Sequence, residues 1–155
     1  MGAGMEDIKR ASAAEKNIVC APSGLRAARL LEQRFGTPYE VFDPLAAGLV
    51  PERDYTGARV LVIDQQVRAD TLRAALLERG AQSVICATWF MQEAALKEEA
   101  DARLSEEDDL EALVRDGGFD FLIGDGAHRR VIEGVFRGEL IDLPQFPVSG
   151  RLVQA

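Results

Sequence analysis

The chain is short of the side chains that build self-contained catalytic and metal sites. In 155 residues it has two cysteines, one histidine and one tryptophan. Cys20 and Cys86 form no C-x-x-C pair, so zinc-ribbon and thioredoxin-type motifs are excluded. No structural disulfide is expected between them in a reducing compartment, and each reads first as a small buried apolar residue. His128 has no Asp or Ser set at a recognisable spacing, so no triad is assembled; it is expected as an exposed helix residue. Bases are also few: 18 Lys and Arg stand against 26 Asp and Glu, for a formal net charge of −8. Nucleic acid is not an expected partner, because binding it needs a basic footprint. No apolar run approaches the ~20 residues of a membrane helix, and MGAGMEDIKR carries no apolar segment of a signal peptide. No membrane association and a cytoplasmic location are the expectations.

What is present is a length that suggests one domain with a full core. The acidic excess lies mainly in residues 93–111. It reads as solvated helix faces, the docking of a basic partner being the alternative. Residues 1–16 read as an arm or short helix, with MGAG disordered. Residues 17–155 read as one domain with a linker near 43–57, where prolines and glycines interrupt any period.

Within that domain short apolar runs alternate with helical patterns. Strands are expected at 17–20, 39–42, 59–63 (RVLVI), 83–87 (SVICA), 119–123 (FDFLI) and 139–143. RVLVI is a near-continuous apolar run, as expected of a strand covered on both faces. Helices are expected at 25–35, 68–79, 91–103, 105–115 and 127–136. On the first, Ala27, Ala28, Leu30, Leu31 and Phe35 fall on one side, and Gly36 stops it. Residues 144–155 read as an irregular tail. Strand–helix repetition with short connections is the pattern of right-handed βαβ units. The fold class is therefore α/β, a three-layer Rossmann-like domain with a mainly parallel sheet of four to six strands.

In such sheets ligands sit at the carboxyl ends of the strands, which selects the candidate residues. Cys20 ends its strand just before a helix N-terminus, a position that can lower a thiol pKa. It could ligate metal or act as a nucleophile, against the bland reading of a buried thiol. Ser23 can cap that helix with Gly24, and it joins Cys20 in the candidate binding set. Asp64 and Gln65 follow RVLVI; Asp64 could contact a ligand or cap the next helix. Gly124-Asp125-Gly126 follows FDFLI and opens a helix, where backbone N–H groups can hold an anion. The spacing is not G-x-G-x-x-G, since position 129 is arginine, so a dinucleotide reading is weak and a tight turn is preferred. Trp89 and Phe90 border the same edge or pack a helix.

NIVCAPSGLRAARLLEQRFGTPYEVFDP resembles a segment of the nitrogenase component 1 family. There a strand, a loop with a cofactor-ligating cysteine, a helix with L-E-x-x-F/Y-G, and G-x-P-[YW] occur in this order. In the family's cofactor-bearing subunit the cysteine precedes the glycine by sixteen positions, as Cys20 precedes Gly36. GARVLVIDQQVRADTLRAALLERGAQSVICAT, FDFLIGDGAHRR and IDLPQFPVSG are similar to successive parts of its last domain. The resemblance implies an oxidoreductase domain, or a cofactor-assembly or tetrapyrrole-reducing relative, forming one wall of a metallocluster or substrate crevice. It implies Cys20 as a metal ligand, an iron–sulfur or related cluster as cofactor, other nitrogenase-like domains or subunits as partners, and room for a reductase partner. A homo-oligomer is left open. Where the family has a ligating histidine, this chain has Pro144, and the family's bridging-cluster cysteines have no counterpart. The alternative is a non-catalytic Rossmann-type module that binds a nucleotide or phosphate at the Gly124–Arg130 turn.

Overall fold

Residues 60–63 can bury four successive side chains only if both faces of their strand are covered, and the structure is organised around that strand. A computed structural model describes residues 4–151, with the side chains of residues 7, 8, 11, 12 and 146 left aside. The expected disorder of MGAG falls largely outside these residues. In chain order the elements are α1 (Met5–Lys9), β1 (Asn17–Val19), α2 (Leu25–Phe35), β2 (Tyr39–Val41), β3 (Arg59–Ile63), α3 (Gln66–Glu78), β4 (Ser83–Thr88), β5 (Ala102–Arg103), α4 (Glu107–Gly117), β6 (Phe121–Gly124), α5 (Arg129–Ile132), β7 (Glu139–Asp142) and α6 (Phe146–Ser149).

Five strands form one sheet in the order β5-β4-β3-β6-β7, and every pairing is parallel. Val60 and Val62 of β3 belong to a core with Ala69, Leu72 and Leu76 of α3. Leu61 and Ile63 belong to a second core with Leu110 and Val114 of α4 and Ile132 of α5. Alternate side chains of one strand thus enter opposite cores, and the fold is the expected three-layer Rossmann-like α/β arrangement.

β1 and β2 do not join this sheet. They pair with each other in a separate two-stranded parallel sheet. Val19, Leu25 and Ala28 form its small core, with Tyr39, Val41 and Leu96 against it. Gly36 closes α2 at φ +72°, a left-handed position that suits glycine. Of the apolar side expected on α2, only Ala28 is buried, while Leu30 and Phe35 stay more than half exposed. The unit has too little partner surface to cover them.

Three expected elements differ. Residues 91–103 are not a helix: they hold one 3-10 turn (Ala94–Leu96) and β5. Tertiary polar contacts override the helix propensity of this Ala- and Glu-rich stretch. The Gln66 side chain both donates to Glu93 O (3.1 Å) and accepts from Glu93 N (2.7 Å). Asp101 is buried, where it accepts from Cys86 N (3.0 Å) and Glu98 N (3.0 Å). The helix over 127–136 is one 3-10 turn (Gly126–His128) and α5, because the chain must return quickly to pair Glu139 with Phe121. The tail, expected to be irregular, forms α6 and folds back onto the sheet.

The start of β7 is tightly seated. A Cβ on Gly138 would come within 2.4 Å of Asp120 O and 2.7 Å of Phe119 O, both backbone atoms. Backbone cannot swing aside as a side-chain tip does. Gly138→Ala is expected to destabilise by about 2–3 kcal/mol, an overpacking cost, measured by denaturant unfolding. A loss below about 0.5 kcal/mol would mean that β7 tolerates a shift there.

Candidate functional site

The chain runs from β3 outward to β5, then crosses back to β6 and β7. The strand order therefore reverses between β3 and β6, and their carboxyl ends form the topological switch point at which open α/β sheets bind ligands. Asp64 follows β3, and Asp125 follows β6. Both are candidates on sequence grounds, and the parallel register of Val62 with Ile123 puts their strands side by side.

The tail is what occupies the junction between them. Gln145, 2% exposed, donates its side-chain amide to Ile63 O at the end of β3. Its backbone N–H donates to Asp125 Oδ2 (2.8 Å). Asp125 is completely buried. Its Oδ1 accepts from Ala127 N (2.9 Å) and Arg151 Nη2 (3.0 Å), and its Oδ2 also accepts from the Ser149 hydroxyl. Burial works against the charge. The Ser149, Ala127, Gln145 and Arg151 donors outweigh it and hold the carboxyl down at about 2. Arg151 grips Asp142 with both terminal nitrogens (2.7 and 2.9 Å). Asp142 in turn accepts from Gly126 N (2.7 Å).

The N–H groups of Gly126, Ala127 and His128, which leave the Gly124–Gly126 turn, are spent inside the chain. Gly126 N donates to Asp142, Ala127 N to Asp125 Oδ1, and His128 N to Asp125 O. An anion-cradling turn needs those donors free.

Asp64 is in the opposite condition. It is 4% exposed. Oδ1 accepts from Gln65 N (2.7 Å), while Oδ2 is buried without a hydrogen bond. Arg68 Nε lies 3.4 Å from it and is unsatisfied too. Burial pushes the carboxyl up to about 6, against the pull of Arg68 and the Gln65 N–H, with Asp43 adding to the rise. A folded value above the unfolded one means that the native state holds the extra proton. The stabilisation is full below pH ~4 and is lost as pH rises through about 6. Asp64→Asn is expected to remove that slope. The unfolding free energy of wild type relative to the variant should fall by about 2–3 kcal/mol between pH 4 and 7.5. A flat difference would mean that Asp64 is solvated.

Cys20, for which a small buried residue is the first expectation, is exposed. Its carbonyl accepts from Gln65 Nε2 (2.8 Å). This bond ties the end of β1 to the β3–α3 turn, next to Asp64. The thiol lines a shallow groove with Ser23, Gly24, Ala27, Ala28 and Leu31. Ser23 is exposed and makes no side-chain cap on α2. Cys86 is buried, and burial raises its thiol pKa well above the ordinary value, Arg73 opposing. A thiol reagent is expected to modify Cys20 rapidly, with Cys86 protected until the protein unfolds. Two rapid equivalents per folded chain would contradict the placement.

His128, expected on the surface, is 5% exposed. The one-turn α5 directs it inward, where its ring lies 6.1 Å from that of Trp89. Burial lowers its pKa, against the Asp125 carboxylate. His128 Nε2 and Trp89 Nε1 are both buried without a partner, a cost of about 1–3 kcal/mol each.

Sequence reasoning passed over Gln145, Ser149 and Arg151, which complete the switch point. It also passed over Arg73 and Asp101, which lie buried between α3 and the β4–β5 connection. A glutamine between prolines carries no periodic signal, and the alternation of Arg73 with apolar neighbours reads as an exposed helix position.

Among the described residues no three His, Cys, Asp or Glu side chains converge to hold a metal ion. No described helix is long and apolar enough to cross a membrane. Compared with known proteins, the sequence matches no family model and no curated relative.

Proposed function

We propose that this chain is one half of a shared binding crevice of the nitrogenase component 1 type, within an oxidoreductase or a cofactor-assembly or tetrapyrrole-reducing relative. Its Cys20 stands at the rim. The reading is carried by one observation: an exposed thiol whose own main chain is fastened, through Gln65, to the carboxyl edge of the parallel sheet. Soft thiolate sulfur suits iron, and exposure leaves it open to a second body. Asp64 borders the same edge. In this reading Gly124, Asp125 and Gly126 hold the tail in place and do not face a ligand.

An iron–sulfur cluster takes four thiolates or their equivalents. One exposed cysteine does not fit such a cluster by itself, so the remaining donors belong to another domain or subunit of similar kind. A reductase partner would supply electrons to the completed assembly. The nucleotide or phosphate alternative gains nothing from Gly126, Ala127 and His128, whose N–H groups are already bonded.

The test supplies the missing donors from solution. The chain is treated anaerobically with ferrous iron, sulfide and excess small thiol, then desalted, beside Cys20→Ala. Iron that stays with wild type and not with the variant supports the reading; equal iron in both removes Cys20 from it.

A further inference from the structure

Helix α2 is basic on a chain that is acidic as a whole. It carries three arginines and one glutamate, against a formal net charge of −8. We propose that its outer face docks an amphipathic helix of another protein, one whose leucine-type side chains are flanked by Asp or Glu.

Two lines of side chains at four-residue spacing make up that face. Arg26, Leu30 and Arg34 form one line, and Ala27, Leu31 and Phe35 the next. Leu30 is 55% exposed and Phe35 53%; Arg26, Ala27 and Arg34 are exposed too. Ala27 and Leu31 continue into the groove that holds Ile18 and Cys20, and Ile18 is itself 49% exposed. Lone apolar side chains on a surface are ordinary, but a contiguous set rimmed by charge marks an interaction site.

The arginines select the partner. Arg29 reaches Glu93 (3.8 Å), while Arg26 and Arg34 have no acid within ion-pair reach among the described residues. They stand eight residues apart, ~12 Å along the helix, and call for two acids at about that separation on a leucine-bearing face. A second copy of this chain does not supply it. Two α2 faces brought together would set arginine against arginine, and the acidic stretch 98–109 exposes no large apolar side chain. An anionic membrane or a nucleic acid would meet the chain's acidic excess. An acidic amphipathic helix satisfies both lines at once. The face adjoins the Cys20 rim, and docking there does not depend on iron.

The probe is a helical peptide of three AELAALE heptads, which sets a leucine seam between glutamates ~10.5 Å apart. Its control carries lysine in place of glutamate. Labelled peptide is titrated with the full chain and read by fluorescence anisotropy. The acidic peptide is expected to bind saturably in the micromolar range and to weaken as salt rises. The lysine peptide should bind at least tenfold more weakly. Arg26→Glu combined with Arg34→Glu should reverse that preference. Leu30→Ala should weaken the acidic peptide at least threefold with the unfolding midpoint unchanged. Cys20→Ala should bind it as wild type does, which separates this test from iron retention. Equal binding of the two peptides, no saturation, or no reversal in the double arginine variant would overturn the proposal. So would a wild-type dimer in sedimentation that Leu30→Glu dissolves, or flotation with phosphatidylserine vesicles that the same variant abolishes.

Discussion

Arg73→Met is expected to lower the stability of the fold by about 3–5 kcal/mol, the cost of leaving a buried ion without its partner. Arg73 is 5% exposed, and Asp101 equally so. The guanidinium contacts Asp70 (2.5 Å), Glu98 (2.7 Å) and Asp101 (2.7 Å). Asp101 also accepts the N–H groups of Cys86 and Glu98. One buried arginine therefore holds α3, β4 and the loop leading into β5 in a single network. Methionine fills similar volume but leaves the Asp101 carboxylate uncompensated. Arg73→Lys keeps the charge and loses the fork that spans several carboxylates, so it should recover only part of the loss. Urea unfolding measures this: a midpoint drop of roughly 2 M with unchanged slope is expected. A change below about 1 kcal/mol would mean that the network is solvated and contributes little.

Asp125→Ala should cost about 3 kcal/mol or more, since it strips a buried carboxylate from four donors and leaves the Gln145 and Ala127 N–H groups and the Ser149 hydroxyl without their acceptor, Arg151 keeping only Asp142 as its carboxylate. The loss should be local as well as global. Amide exchange at residues 145–149 is expected to quicken, and trypsin should reach Arg151 sooner, because Asp125 is what the tail closes upon. The pH dependence has the opposite sign to that of Asp64. A folded value of about 2 against the ordinary 3.8 means that the native state favours the charged form. That contribution is complete above pH ~4 and is lost as pH falls towards 2, an amount of about 2 kcal/mol. Asp125→Asn should flatten the acid limb. A tail that exchanges equally fast in wild type and Asp125→Ala would show that the carboxylate does not secure it.

The five-residue run RVLVI and the SVICA and FDFLI runs declared a covered parallel sheet, because apolar continuity has few other uses in a strand. α2 was legible to the residue, since Gly36 enforces its stop. Residues 91–103 were not, because what straightens them is the Gln66 amide and the Asp101–Arg73 pair, contacts between positions far apart in sequence. His128 was misplaced for the same reason: its burial follows from a helix cut to one turn by the return to β7. Of the candidate site, Asp64, Asp125 and Cys20 could be chosen from their places after strands. That Asp125 would be turned inward by Ser149 and Arg151, and Cys20 outward beside Gln65, depends on how the tail and the β1–α2–β2 unit dock, which no local pattern encodes.

The most direct measurement is the iron content of wild type, Cys20→Ala and Cys86→Ala after identical anaerobic treatment with iron, sulfide and excess small thiol. The account predicts iron retained by wild type and Cys86→Ala and lost from Cys20→Ala. Equal iron in all three chains, or loss on replacing Cys86 alone, would contradict it.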